Sequence, residues 1–361
     1  MEIEIEQSSG SRRGQGEEKR ILMLALNVQR PPVDRLEDGT ESLYFGCVDF
    51  HSVDLKQNKL TRCCFPSLIM VEVTNAMVSL NECIYLVGGV TSSIARSPFI
   101  QRLQSASPLS NRTHYFGGSS LDMSDEAAVW RPSPVFIEDC TSFNYVSFLG
   151  KIYNFGSNRL APEVLDPTVG HCKLISPIPT SLVGCSVSIP VLPDPSNNRI
   201  LMRIYGGPLS LPSLYAFTPP VDVDGIGTWE CLTPDFPIWA DSAAVVNGVI
   251  YFHCHKFPSL LCAFHIAKKK WLNVRWDSCF KDKVDMNVER IHFDAMLHLG
   301  NNNLCFAGWI PVDNAPTVST IEIVFFKFKV LDTSETVIVK ACDSYSFELP
   351  QTYEVLHFLS V

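Results

Sequence analysis

Several things are missing from this 361-residue chain, and each absence narrows its function. It contains no G-x-S-x-G and no G-x4-G-K-[ST], so neither a hydrolase nucleophile elbow nor a phosphate-cradling loop is present. No segment approaches the roughly 20 consecutive apolar residues of a membrane-spanning helix. Basic side chains are in deficit, 29 Lys and Arg against 38 Asp and Glu, for a formal charge of −9. Phosphate backbone is therefore not expected as the main partner, because nucleic-acid binding shows as a basic patch or stripe. The thirteen cysteines include no paired CxxC spacing, which argues against a zinc ribbon or a redox pair. The short apolar run Ile21 to Val28 follows an acidic stretch and is cut off by "QRPP", unlike a secretory leader with its basic start and longer core. The expectation is a cytoplasmic or nuclear protein with reduced, mostly buried thiols. The sequon at Asn111 carries no weight in that setting.

What the chain does have is a repeated hairpin. "SLNECIYLVGG", Ser79 to Gly89, has relatives in "FLGKIYNFGS" at Phe148, "NNRILMRIYGG" at Asn197, "VNGVIYFHCH" at Val246 and "GNNNLCFAGW" at Gly300. Each pairs two apolar strands across a turn of Asn or Gly, residues that tolerate positive φ. Tyr85, Tyr153, Tyr205, Tyr251 and Phe306 serve as phase markers, separated by 68, 52, 46 and 55 residues. A second element lies downstream in "LLCAFHIAKKKWLNV", where Phe264 and Trp271 flank a turn of lysines. Val53 and Leu60 show the same spacing, and Trp130 and Trp229 fill the Trp place in two more copies. A four-stranded unit of this kind cannot bury both faces alone, so large aromatics wedge it against its neighbours and the glycine pair lets backbones pass closely.

Over Ile21 to Val361 these residues resemble the kelch-repeat family of β-propellers, in particular plant-type kelch proteins without a helical F-box adaptor. The double glycine stands in full only at Gly88-Gly89 and Gly206-Gly207, and the aromatic-x6-Trp element only at Phe264 to Trp271. The resemblance implies an all-β fold, a monomeric six-bladed kelch-type propeller over residues 21–361. Three strands of one blade come from "RILMLALNV", "ESLYFGCVDFHSVDL" and "KLTRCCF" near the N-terminus. The fourth comes from "YEVLHFLSV", Tyr353 to Val361, so that N- and C-terminal strands pair and close the ring. Residues 1–20, rich in Glu, Ser and Gly, read as a disordered acidic tail.

Chemistry-bearing groups are few. His253 and His255 in "HCH" share one side of a strand and could share a metal, but no third ligand is visible. "ERIHFDAMLHL" is similar to the Glu-x3-Asp-x3-His iron motif of the nitrile-specifier branch of kelch proteins. Asp294 and His298 have its spacing, whereas Glu289 is one residue out of step and Arg290 occupies the acid's place. A shift by one turns a strand side chain to the opposite face. Galactose-oxidase-like copper chemistry would need Tyr and His pairs that this chain lacks. No cofactor is expected. The favoured reading is a non-enzymatic interaction scaffold, with a metal-dependent small-molecule enzyme or specifier as the alternative. Its partner-binding candidates follow the second strand of their repeats: Arg96, Arg102 and Arg112 in a long serine-rich loop, Arg159, His255 and Lys256, and Trp309 in "GWIP". Arg and Trp dominate interface energies. Such a cationic, aromatic rim on an acidic protein suits an acidic segment of a protein partner.

Overall fold

The computed structural model describes residues 19–28, 46–63, 68–70, 76–81, 83–87, 118–122, 131–133, 144–155, 162–175, 179–209, 211–220, 225–236, 242–253, 261–277, 291–312, 320–333, 335–350 and 353–360. Among them the architecture is all-β, and the only helical turns are two short 3-10 segments. The strands fall into successive antiparallel groups. The first contains β1 (Ile21–Val28), β2 (Gly46–Asp54), β3 (Lys59–Arg62) and a short β4 (Leu68–Met70) that also pairs with β2. The second contains β5 (Ala76–Leu80), β6 (Cys83–Val87), β7 (Gly118–Asp122) and β8 (Arg131–Ser133). The third contains β9 (Tyr145–Phe148), β10 (Lys151–Asn154), β11 (Glu163–Asp166) and β12 (His171–Leu174). The fourth contains β13 (Ser186–Asp194), β14 (Arg199–Tyr205), β15 (Ser213–Thr218) and β16 (Thr228–Thr233). Next come β17 (Ala243–Val246), β18 (Val249–His253), β19 (Leu261–His265) and β20 (Lys270–Trp276), then β21 (His292–Gly300), β22 (Asn303–Val312), β23 (Thr320–Asp332) and β24 (Thr336–Pro350). The last strand, β25 (Tyr353–Ser360), returns to the first group and pairs antiparallel with β1, Ser360 opposite Ile21 and Tyr353 opposite Asn27.

The hairpin turns explain the repeat. Asn81, Leu149-Gly150, Asn198, Asn247-Gly248 and Asn301 all adopt positive φ between first and second strands, the conformation that tight hairpins require. The first strand of each group touches the first strand of the next: β5 against β9, β9 against β13, β13 against β17, β17 against β21, β21 against β25, and β25 against β5. The contacts therefore return to their start. Between successive groups lie hydrophobic clusters. Tyr153 and Phe155 meet Ile200, Met202 and Phe217 in one, and Leu201 and Leu214 meet Ile250, Phe252 and Phe264 in another. The aromatic wedge acts as expected. Trp271 pairs across strands with Phe264 and stacks on Phe236, with ring centroids 5.4 Å apart and planes 18° apart. Trp229 pairs with Phe217 at 5.0 Å and meets Phe155 of the preceding group at 6.1 Å. Val53 and Leu60 form the corresponding cross-strand pair in the first group.

One feature departs from a simple repeat. The outer strands β20 and β24 pair in parallel, Asn273 opposite Thr336 through Trp276 opposite Val339, and fuse two groups into an eight-stranded sheet. The β23–β24 hairpin is long enough for its tip to reach across. There Phe328, Val330, Val337 and Val339 are buried against Leu272, with Val274 and Trp276 packed alongside. The Tyr251 hydroxyl donates to Asp332 Oδ1 at 2.8 Å, and the Asn273 and Asp277 amides donate to the carbonyls of Glu335 and Val339. This strap covers an edge that would otherwise be open to pairing with another chain.

Within the expected tail at 1–20, the Lys19 amide donates to Leu299 O at 2.8 Å. Residues 1–18 lie outside the described residues.

Candidate functional site

Hairpin geometry gives each second strand a definable order of side chains. The third residue after the turn is Tyr85, Tyr153, Leu201, Tyr251 and Cys305 in successive groups. Tyr153, Leu201 and Tyr251 each enter the cluster shared with the following group. Two of the expected phase markers are thus displaced. Phe306 is the fourth residue of β22 and enters the same cluster as Tyr251, on the side of the preceding group. Tyr205 is the seventh residue of β14, which is longer, and its ring is 42% exposed at the strand end instead of wedged between sheets.

The fifth place is where chemistry varies. It holds Phe155 and His253, both buried, in two groups and Arg203 in the fourth. His253 meets the Phe306 ring edge-on at 5.4 Å, and its amide donates to Ser242 O. Arg203 is half-buried: its Nε donates to Phe236 O at 3.1 Å and Nη1 to Ser188 Oγ at 3.2 Å, and its guanidinium carbon lies 5.8 Å from the Tyr205 ring centroid. Burial lowers its pKa, opposed only by the Tyr205 hydroxyl. Among the described residues no carboxylate pairs with it.

The loops around this arginine are tightly fitted. Gly207 has φ +55, and a Cβ there would lie 2.8 Å from the Gly184 carbonyl carbon. That is the close backbone passage expected of the glycine pair. Cys185 Sγ donates to Gly206 O at 3.2 Å, and the Phe236 amide to Pro212 O at 2.6 Å. Val183 and Leu211, next to these anchors, are 63% and 51% exposed. Sequence reasoning took "RIYGG" only as a repeat marker and did not single out Arg203. Its signal was available: a cation at a position where two other copies carry Phe155 and His253 and two more the apolar Val87 and Ala307.

In the last group His292 and Trp309 stand opposite each other across β21 and β22, stacked at 4.4 Å with planes 17° apart. His292 is exposed and Trp309 half-buried, packed against the cluster between the last group and the first. Trp309 is therefore a strand residue, where the sequence suggested a loop. The other partner-binding candidates, Arg96, Arg102, Arg112, Arg159, His255 and Lys256, lie outside the described residues.

Of the four metal candidates, His253 and His298 have described side chains. β18 ends at His253, and His255 is outside the described residues. Asp294 lies at the first bulge of β21, between Phe293 and Ala295, and His298 Nε2 engages Asn301 O at 2.8 Å, burial holding its pKa below the usual histidine value. Among the described residues no three His, Cys, Asp or Glu side chains converge on a common point. Two buried carboxylates are tied locally, Asp49 by Arg62 at 2.6 Å and the fully buried Asp194 by Arg199 and Asn197. Cys305 and Cys185 are buried, whereas Cys231 is exposed on the outer strand β16.

No protein-family model matches this chain, and no curated protein matches it. Among solved structures it is similar to the extracellular domain of a candidate hybrid two-component system from B. thetaiotaomicron, with 10% identity and a TM-score of 0.39, covering 81% of this chain and 38% of that one. It is similar also to a candidate 6-phosphogluconolactonase from Bacteroides uniformis, with 12% identity and a TM-score of 0.41, covering 90% and 82%. A nidogen/laminin complex chain is similar at 10% identity with a TM-score of 0.30, covering 70% and 92%. The chain thus spans well under half the length of the two-component extracellular domain.

Proposed function

We propose that this chain is a six-bladed, kelch-type β-propeller that acts as a non-enzymatic protein-binding module. The return of first-strand contacts to their start and the pairing of β25 with β1 support the ring. In such a ring the ends of the second strands lie on one face, together with the links between blades. The observation that carries the binding reading is what that face presents. Two separate sheets end there in exposed or half-exposed aromatic and cationic groups, Arg203 with Tyr205 and His292 with Trp309. Aromatics and arginine are the residue types that anchor protein interfaces. The six candidates from the sequence, Arg96, Arg102, Arg112, Arg159, His255 and Lys256, lie outside the described residues, and the binding reading does not draw on them. Propeller folds fix no chemistry by themselves, so function is argued from this face alone.

The test is affinity capture from extract of the source organism with the full chain as bait. The wild type should recover a specific protein, and the variant Tyr205→Ser/His292→Ala should lose it while keeping its β-type circular dichroism, because both side chains are exposed. Equal recovery by the folded variant would remove this face. Recovery lost instead on replacing Leu149 and Val169, exposed in the turns at the opposite ends of the strands, would assign the binding there.

A further inference from the structure

We propose that Arg203, with Ser188 and Tyr205, is a carboxylate-recognition point that receives an Asp or Glu side chain from a peptide segment of the partner protein. The inference rests on the protein-binding reading and names the chemistry of that partner. Its first support is position. Arg203 takes the inter-sheet place that Phe155 and His253 fill with buried rings. A guanidinium is a poor choice there for packing alone, because a partly desolvated charge costs free energy unless it is paired.

The second support is the donor count. A guanidinium carries five N–H donors. Two are accounted for, and both go to uncharged oxygens, Phe236 O and Ser188 Oγ. These bonds fix the plane of the fork and leave three N–H groups for a ligand. Among the described residues no Asp or Glu supplies the missing charge. Burial disfavours the charged form, and an arriving carboxylate reverses that penalty through charge-assisted hydrogen bonds.

The third support is the surroundings. Tyr205 offers a 42% exposed ring beside the cation, and Val183 and Leu211 stand exposed on loops fixed by the Gly184–Gly207 approach and the Phe236–Pro212 bond. Apolar side chains on a rigid frame around one unpaired cation fit an acidic residue flanked by apolar ones. A free small anion would make no use of them. An arginine that served only to satisfy Phe236 O and Ser188 Oγ would be replaceable by glutamine, whose amide is also a donor.

The probe is a phage-displayed library of random dodecapeptides, panned on the immobilised full chain. Selected peptides should share an Asp or Glu next to apolar residues. Replacing that residue by Asn or Gln should weaken binding about tenfold or more, and Arg203→Gln should do the same to the unmodified peptide. Should Arg203→Gln fail to fold, the wild-type protein labelled at arginine nitrogen supplies the readout. Its Arg203 Nε–Hε resonance should shift on addition of the acidic peptide and not of its amide counterpart. Peptides without a carboxylate, peptides indifferent to Arg203→Gln, or an unmoved resonance would overturn the anion site and leave the binding reading standing. A selection that returns no peptide would count against both.

Discussion

The strap formed by β23 and β24 invites the sharpest energetic prediction. Val339 is fully buried among Val330, Val337, Val274 and Trp276, and its carbonyl accepts the Asp277 amide at 2.9 Å. Val339→Ala removes two buried carbons, about 1.6 kcal/mol at ~0.8 kcal/mol for each. The cavity left behind raises the cost to about 2–3 kcal/mol. If the strap opens as a local unit, the amides it protects should exchange faster by about 30- to 150-fold, since ~1.4 kcal/mol is a factor of ten. Native-state hydrogen exchange at Asn273 and Asp277, which donate to Glu335 and Val339, reads this directly. Glu335→Ala is the control: its contact with Lys270 at 3.1 Å joins two exposed side chains, and such pairs are worth about 0–1 kcal/mol. Unchanged exchange in Val339→Ala, or equal acceleration in Glu335→Ala, would refute the reasoning that buried valines hold the strap.

Other outcomes follow from the same structure. Gly207→Ala places a Cβ 2.8 Å from backbone at Gly184 and should cost about 3 kcal/mol in urea unfolding, whereas Gly150→Ala, with φ +73 and open space, should cost only about 1–2 kcal/mol. Deleting Tyr353 to Ser360 removes the strand paired with β1 and the first-strand contacts to β5 and β21, so cooperative unfolding should be lost; a truncated protein as stable as the full chain would contradict closure. Tyr153 and Tyr215 have pKa values raised to about 12, chiefly by burial. The unfolded chain therefore loses these protons first, and the stability they confer, complete below about pH 10, should fall as pH rises toward 12, read by urea midpoints with tyrosinate absorbance. His51 and His298 have pKa values lowered, first by burial, so their contribution is present above about pH 6.5 and is lost as pH falls through the depressed values.

How far the sequence was legible depended on whether a feature was local. Turn residues were: Asn81, Asn198, Asn247 and Asn301 are where positive φ occurs, and the strands they join follow. The Phe264–Trp271 and Val53–Leu60 pairs were readable because a tight hairpin sets residues seven apart opposite each other. Tyr205 was misplaced because β14 runs seven residues, so the aromatic in "RIYGG" sits four positions beyond Leu201, which holds the place of Tyr85, Tyr153 and Tyr251. Phe306 misled for a related reason, since a slip of one residue reverses the face of a strand. The strap was not legible at all. "TIEIVFFKFKVLD" shows strand character, but its choice of β20's edge as partner is a long-range packing decision with no local signal. Arg203 was hidden by the repeat itself, read as filler between two markers.

In the proposed function a partner protein docks on the face where second strands end. Hydrogen–deuterium exchange of the full chain, free and with its captured partner, tests it most directly. Protection should rise in peptides covering Val183 to Ile189, Arg203 to Leu211 and His292 with Trp309, while the turns at Leu149, Val169 and Lys268 to Lys269 stay unchanged. Protection confined to those turns, with Arg203 to Leu211 unaffected, would contradict it.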